Sequence, residues 1–205
     1  MTKLHTVALL ARRPGLLALD ELINHPLIDL ECVATHHMLP KAEWSYPSKP
    51  EIRPEYYDYK FKCNQAHVCL DHVDAWSQHE YDLLIALSWR KKVSAEILSR
   101  IPRAINLHRG DLPKYPGARP VLQAIRAGET QVAITAHWMT AEIDGGDPIA
   151  KVYAPIVRGA SDFKTEELTK VSLEPLYVPL LTIALAMLGN PTSSLVQVPP
   201  APPSD

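Results

Sequence analysis

Three polar residues in the second half of the chain, Asn106, His108 and Asp144, form a set that suits acyl transfer to an amine. An amide N–H group and a protonated imidazole can stabilise the negatively charged oxygen of a tetrahedral intermediate. A carboxylate near the imidazole biases it towards its charged form. The carboxylate, or a water that it holds, can also accept the proton that the attacking amine must lose.

The spacing of these residues predicts that they lie together. Asn106 and His108 are two positions apart on a predicted strand, so their side chains share one face of it. Asp144 stands in a loop, directly before Gly145 and Gly146. Taken separately, a histidine at a strand end is commonly structural and an Asp-Gly pair commonly marks a turn. The prediction therefore depends on the combination.

The chain as a whole alternates predicted strands and helices, which indicates an α/β fold with a mainly parallel twisted sheet and helices on both faces. In such folds ligands bind beyond the carboxyl ends of strands, where residues 104–108 end. One catalytic domain is expected over residues 1–189, and a Pro-rich tail, extended or disordered, over 190–205. Residues 12–15 are predicted to form a turn, and residues 38–59, which hold four prolines, an irregular segment. The predicted strands are 7–11, 28–35, 81–87, 104–108, 132–139 and 148–155; the predicted helices are 16–24, 75–80, 93–100, 119–127 and 165–188, the last broken near Pro175 and Pro179.

Composition narrows the class of protein. The 205 residues are 46% hydrophobic and 21% charged, with a formal net charge of −2, which is typical of a globular enzyme and argues against binding to nucleic acid. The apolar stretch 177–188 is too short to span a membrane, and no signal-peptide pattern precedes the first strand. The three cysteines form no CxxC pair and suit reduced thiols. We therefore expect a cytoplasmic protein with no membrane partner. We expect no metal either, since the His and Cys spacings match no standard zinc pattern.

The motifs resemble those of the folate-dependent formyltransferase family. N-x-H at 106–108, L-P-K-Y-P-G at 112–117 and D-G-G at 144–146 carry the resemblance, which is strongest over residues 81–156. The family comprises phosphoribosylglycinamide, methionyl-tRNA and sugar-nucleotide N-formyltransferases. The resemblance implies a Rossmann-like fold, 10-formyltetrahydrofolate as formyl donor, and Asn106, His108 and Asp144 in the catalytic positions. It also implies a pterin site between residues 87–93 and 140–144. The residues expected to bind the cofactor are Leu87, Trp89, Arg90, Val93, Thr140, Ala141, Glu142 and Ile143.

Two departures from the family bear on the amine acceptor. The phosphoribosylglycinamide enzymes hold the substrate phosphate on a Gly- and Ser-rich loop after the first strand, where this chain has Ala11-Arg12-Arg13-Pro14-Gly15. Arg109-Gly110-Asp111 replaces the Pro-Ser-Leu that follows the histidine in many relatives. We therefore expect an amino sugar nucleotide rather than the purine precursor. The residues expected to bind this substrate are Arg12, Arg13, Arg109, Gly110 and Lys114.

Several alternatives stay open at this point. The acceptor can be the phosphoribosylglycinamide of purine synthesis, or the chain can hydrolyse the folate donor or bind folate without catalysis. The methionyl-tRNA enzymes add a C-terminal nucleic-acid-binding domain, and known hydrolases an N-terminal regulatory domain, which this sequence is not expected to contain. Residues 90–92 are either solvated or hold the glutamate tail of the folate, and the aromatic residues of 44–59 either pack or stack on a base. The oligomeric state is open, with a homodimer as one option.

Overall fold

A computed structural model describes residues 2–37, 51–71, 75–188 and 196–198. The chain divides into two compact units. The first consists of the residues up to 91 together with 100–103, and the second of residues 92–99 and those from 104 onward.

Four parallel strands form the sheet of the first unit, in the order β3-β2-β1-β4. All five residues of β4 are buried, and in β1 burial is complete from Thr6 to Leu10. Such continuous apolar runs are typical of parallel strands that are covered on both faces. The strands are β1 (Leu4–Leu10), β2 (Ile28–Ala34), β3 (Cys69–Asp71) and β4 (Leu83–Leu87).

Two helices, α1 (Arg12–Asn24) and α2 (Pro54–Ala66), accompany this sheet, with a 3₁₀ turn at Ala75–Gln78. Pro54 is the first residue of α2, where the missing N–H of proline costs no helical hydrogen bond. The buried Tyr59 of α2 donates its hydroxyl proton to the carbonyl of Arg12, 2.9 Å away. This bond fastens α2 to the start of α1.

The second unit holds most of the remaining elements. β6 runs antiparallel to both β5 and β7, and β8 runs parallel to β7. Four of the six strand pairings within the two units are thus parallel, and the predicted α/β class with a mainly parallel sheet is confirmed. The elements are α3 (Ala95–Arg100), β5 (Arg103–His108), α4 (Pro120–Arg126), β6 (Gln131–Trp138), β7 (Pro148–Pro155), α5 (Asp162–Leu173), α6 (Tyr177–Leu188) and β8 (Val196–Val198).

The segment Asp162–Leu188 is long and apolar enough to cross a membrane by length and composition alone. In this structure it consists of α5, a 3₁₀ turn at Glu174–Leu176 and α6. α6 packs on β6 and β7 and buries five side chains. A single helix of this kind is weak evidence for a membrane span, since core helices of globular proteins pass the same test; 33% of its most apolar window is buried.

The structure corrects the sequence prediction in four places. Residues 12–15 are the first turn of α1 rather than a separate turn, and residues 54–59 belong to α2 rather than to an irregular segment. In both cases a proline lies in the first turn of the helix, where it is tolerated, whereas proline further inside a helix breaks it. The short strand β3 was not predicted, and Pro179 lies inside α6 without interrupting it. The predictions for residues 38–50, 189–195 and 199–205 lie outside the described residues.

Candidate active site

Four polar side chains meet where β5 and β6 face the loop that follows β6. The antiparallel register places His137 of β6 opposite Asn106 of β5, and Thr135 opposite His108. The Nδ2 atom of Asn106 lies 3.0 Å from Nε2 of His137. Nδ1 of His137 lies 2.9 Å from the carbonyl oxygen of Trp138, so a proton on Nδ1 leaves Nε2 as the acceptor for Asn106.

Asp144 joins the two histidines. Its Oδ2 lies 3.3 Å from Nδ1 of His108 and its Oδ1 lies 3.6 Å from Nε2 of His137. The side chains of His108 and Asp144 are each 9% exposed. Asn106, His108, His137 and Asp144 are called the polar cluster below, and the structure confirms that the three residues selected from the sequence lie together.

The backbone of the β6–β7 loop places Asp144 in this position. The loop is closed by the amide of Trp138, which donates to the carbonyl of Asp147 over 3.0 Å. Gly146 lies so close to the carbonyl of Trp138 that an added Cβ would be 1.8 Å from its oxygen. Asp144 itself adopts the left-handed conformation (φ 55°), which Asp tolerates better than most residues. The Gly117 amide donates to its Oδ2 over 2.8 Å.

The other side of His108 contacts the loop 109–117. Its Nε2 lies 2.9 Å from the carbonyl oxygen of Tyr115. Gly110 permits this approach, because an added Cβ would lie 2.7 Å from both Nε2 of His108 and the Tyr115 oxygen. The fully buried Thr135 anchors the loop, donating to the Gly110 carbonyl over 2.7 Å and accepting from the Leu112 amide.

Burial lowers the pKa of His108 below its ordinary value, against the opposing influence of the Asp144 charge. As expected, Asp144 biases this imidazole towards its charged form, but burial outweighs the carboxylate. Burial alone would raise the pKa of Asp144, yet His137, His108 and the Gly117 amide together lower it. At neutral pH the pair consists of a neutral imidazole and a carboxylate.

The geometry gives this pair a place for one more proton. With its proton on Nε2, the neutral His108 donates to the Tyr115 carbonyl and turns the lone pair of Nδ1 towards Asp144. A proton added at Nδ1 would point at the carboxylate 3.3 Å away. The arrangement can therefore take up and return a proton without moving either side chain far.

The residues expected to bind the cofactor are distributed over both units. In the first unit Leu87 ends β4, and the rings of Trp89 and His36 stack with centroids 4.2 Å apart. The Arg90 amide donates to Nε2 of His36 over 3.4 Å.

In the second unit Val93 is buried, whereas residues 140–143 form the exposed loop that leads into Asp144. Ile143 is 67% exposed, although it directly precedes a largely buried carboxylate. Thr140 donates its hydroxyl proton to the Glu142 carbonyl, which orders the start of the loop. This loop presents backbone groups and one apolar side chain beside the polar cluster.

The residues expected to bind the amine substrate have different surroundings. Arg109 donates through Nε to the Tyr177 hydroxyl over 2.9 Å, and its guanidinium lies over the same ring. Gly110 lies against His108, as described above. The half-exposed Lys114 is paired with Glu129 and does not point into the polar cluster. Arg12 and Arg13 lie in the first turn of α1.

His137 was missed in the sequence. It occupies a buried position in β6, a strand rich in β-branched and aromatic residues, where a histidine suggests no role by itself. Its place opposite Asn106 follows only from the antiparallel register of β5 and β6. Predicting that pairing, rather than the strands alone, would have identified it.

Comparison with known sequences decides the family. Residues 40–174 match the sequence model described as formyl transferase. The chain belongs to the formyl transferase family. A methionyl-tRNA formyltransferase of Protochlamydia amoebophila (strain UWE25) is 31% identical to it over 138 residues, which cover 66% of this chain and 41% of that protein. The chain thus spans well under two thirds of the length of this relative.

Solved structures of formyl transferases share the fold. Glycinamide ribonucleotide transformylase 1 from Symbiobacterium toebii superposes with a TM-score of 0.66 at 19% identity, covering 91% of this chain and 89% of that one. An N-formyltransferase from Helicobacter canadensis, in complex with folinic acid and dTDP-3-aminofucose, superposes with a TM-score of 0.60 at 16% identity, covering 93% and 70%. The predicted Rossmann-like formyltransferase fold is confirmed.

Proposed function

We propose that this chain transfers a formyl group from 10-formyltetrahydrofolate to a primary amine of a small substrate. The observation that carries the proposal is the polar cluster: Asn106, His137, Asp144 and His108 are linked in that order by contacts of 3.0, 3.6 and 3.3 Å. Membership of the formyl transferase family supports the reaction class. The folate supplies the formyl group, and the residues of the polar cluster stabilise the developing charge and transfer the proton.

Asn106 stabilises the oxygen of the formyl group as negative charge develops on it. His108, whose Nε2 donates to the Tyr115 carbonyl and whose Nδ1 faces Asp144, acts on the proton instead. The Asn106 amide has two N–H bonds, and the contact with His137 occupies one of them. The other is available to the oxyanion. His137 in turn fixes the amide plane, because it is held by the Trp138 carbonyl. A donor preorganised in this way is worth about 10²–10³ in turnover.

Asp144 and His108 handle the proton. A new C–N bond forms as the amine attacks the formyl carbon, and the amine must then lose a proton while the departing folate nitrogen gains one. Asp144 accepts the proton directly or through a water, and the adjacent Nδ1 of His108 shares it. Because burial lowers the pKa of His108, the imidazole returns the proton readily to the leaving nitrogen.

The loop 140–143 is proposed to hold the pterin ring. It is exposed, it leads directly into Asp144, and the exposed Ile143 offers an apolar contact for a flat ring. Its backbone groups suit the hydrogen-bonding edge of a pterin. Leu87, Trp89, Arg90 and Val93 stay in the proposal through the family resemblance.

The acceptor is proposed to be an amino sugar nucleotide. Arg109 directly follows His108 in the sequence, and its guanidinium, which lies over the Tyr177 ring, suits an anionic acceptor. Phosphoribosylglycinamide stays the alternative acceptor. The solved structure of the Helicobacter canadensis N-formyltransferase with dTDP-3-aminofucose supports an amino sugar nucleotide as the acceptor.

The protein is proposed to be cytoplasmic, since its three free cysteines suit a reducing compartment.

The test is a panel of acceptors incubated with 10-formyltetrahydrofolate, in which product mass is followed. It includes nucleotide-linked amino sugars, phosphoribosylglycinamide and simple amines. A mass gain of one formyl group on a nucleotide-linked amino sugar supports the proposal. Formylation of phosphoribosylglycinamide alone would show that it, and not an amino sugar nucleotide, is the acceptor. Formate release that no amine alters would identify a hydrolase instead, and donor binding without any turnover a binding module.

A further inference from the structure

The first unit contains a pair of cysteines that the formyl transfer chemistry does not use. Cys32 of β2 and Cys69 of β3 are direct partners in the parallel register of these strands. All three cysteines of the chain are free; Cys32 and Cys63 are buried and Cys69 is exposed. The pair thus joins a thiol at the surface to a thiol in the core.

The register of the pair is compatible with a disulfide. Neighbouring strands lie about 4.8 Å apart, within the range of about 4.4–6.8 Å that Cα atoms span across a disulfide. Residues in register on neighbouring strands carry their side chains on the same face of the sheet. A hydrogen-bonding contact between the two thiols contributes to the environment of Cys32.

We propose that Cys69 is a site of reversible oxidation by peroxides and that Cys32 resolves it into a Cys32–Cys69 disulfide. The inference is independent of the proposed formyl transfer, because neither cysteine is assigned a role in that reaction.

The reaction proceeds in two balanced steps. The Cys69 sulfur attacks a peroxide oxygen: the O–O bond breaks, an S–O bond forms, and a sulfenic acid and one water result. The Cys32 sulfur then attacks the Cys69 sulfur: the S–O bond breaks, the S–S bond forms, and the hydroxyl leaves as water with the thiol proton of Cys32. In total the two thiols lose two electrons and two protons, and hydrogen peroxide is reduced to two waters.

Exposure decides which sulfur reacts first. Cys69 is exposed to an oxidant in solution, whereas Cys32 is 4% exposed. Burial raises the pKa of Cys32, and its contact with Cys69 raises it further, so Cys32 is a poor first target. Contact with the oxidised Cys69 compensates for its low acidity in the second step, because the attack is intramolecular. Burial raises the pKa of Cys63 to about 12, and this thiol is expected to stay inert.

The bond would fasten the short strand β3 to the sheet. β3 has three residues, and it ends at the buried Asp71, whose carbonyl accepts from the Thr35 amide and whose Oδ2 accepts from the Trp76 amide. Oxidation is therefore expected to raise the midpoint of thermal unfolding, since a covalent link between β2 and β3 restricts the unfolded chain.

The test treats the full chain with hydrogen peroxide, alkylates the remaining thiols after denaturation and maps the peptides by mass spectrometry. The expected result is the loss of two of the three alkylatable thiols. It should be accompanied by a peptide linking Cys32 to Cys69, which a dithiol reductant separates. Sulfinic acid at Cys69 with Cys32 still free, or a disulfide between two chains through Cys69, would overturn the proposal.

Variants separate the two roles. In Cys69→Ser the exposed thiol is removed, and Cys32 should stay alkylatable at peroxide concentrations that oxidise the wild type. In Cys32→Ser the reaction should stop at a sulfenic acid on Cys69, which a cyclic 1,3-dione traps. Cys63→Ala is the matched control and should form the linked peptide as the wild type does. Oxidation of Cys32 in Cys69→Ser to the wild-type extent would contradict the assigned order.

Discussion

His108 and Asp144 face each other with Nδ1 of the imidazole 3.3 Å from Oδ2 of the carboxylate. Both side chains are almost fully enclosed, and burial lowers the pKa of the imidazole. Burial opposes ionisation of the carboxylate, but the Gly117 amide donates to it and helps to lower its pKa. The pair therefore holds a negative charge and a vacant proton site side by side, which is the state that a proton acceptor for an attacking amine needs.

Replacing Asp144 by Asn should reduce turnover by about 10²–10⁴, the usual contribution of a positioned acid–base group. Asn keeps the size of the side chain and tolerates the left-handed backbone, so the fold should persist. The measurement is kcat/KM for the formyl acceptor, with the unfolding midpoint recorded beside it. Asp147→Asn, an exposed carboxylate on the same loop, is the control and should be near wild type. Equal effects of the two substitutions on kcat/KM would show that Asp144 has no specific role in the reaction.

His108 should make the stability of the protein depend on pH in a defined window. Because its pKa in the folded state lies below 6.5, the unfolded chain binds a proton first as the pH falls. The free energy of unfolding therefore decreases as the pH drops from 6.5 to the folded pKa. In His108→Asn this part of the slope should disappear, while the carboxylate titrations at lower pH remain. Urea unfolding of the wild type and of His108→Asn at a series of pH values below 6.5 measures this slope. Identical slopes in the two proteins would contradict a lowered pKa of His108.

Gly110→Ala should disturb the polar cluster through the backbone. The new methyl group would lie 2.6 Å from Cβ of Pro120 and 2.7 Å from Nε2 of His108. We expect a loss of about 1–3 kcal/mol in stability from overpacking, together with a clear loss of turnover. Gly128→Ala is the matched control: its methyl group meets nothing within 4 Å, and its positive φ of 79° costs about 1 kcal/mol. The losses of stability in Gly110→Ala and Gly128→Ala are measured by urea unfolding. Wild-type turnover in Gly110→Ala would contradict a tight contact between residue 110 and His108.

Glu166 should contribute to stability rather than to chemistry. Its carboxylate, 2% exposed, is bound by Arg119 at the start of α4 and by Lys170 one turn further along α5. Burial raises its pKa, but the two cations lower it more, so the stabilisation is present above pH 4.5 and is lost as the pH falls below it. Glu166→Gln should cost about 1–3 kcal/mol in urea unfolding at neutral pH. The adjacent exposed Glu167→Gln should change little, and an equal cost for both would be contrary to this view.

The sequence predicted those strands and helices whose side chains are patterned strongly. β1, β4 and β7 are apolar runs with few polar interruptions, so their sequences alone predict buried strands. α2 is not predicted because Pro54 belongs to a Pro-rich stretch that favours irregular structure, although proline at the first position suits a helix. β3 is three residues long and too short for its pattern to stand out.

The same limit applies to the site. Asn106, His108 and Asp144 could be selected because the motifs that carry them are contiguous in sequence. His137 could not, because its role comes from the antiparallel register that sets it opposite Asn106. The pKa of His108 shows a related limit: the sequence indicates the influence of Asp144, but the larger influence of burial is a property of the packed structure.

The most direct test of the central claim is a single-turnover measurement of formyl transfer by the wild type and by His108→Ala. An isotopically labelled formyl group on the folate donor allows its appearance on the amine to be followed. With His108 in place the label should reach the amine, and in His108→Ala the rate constant should fall by about 10²–10⁴ while folding is retained. Transfer at the wild-type rate in the folded variant would contradict the claim that the polar cluster performs the reaction.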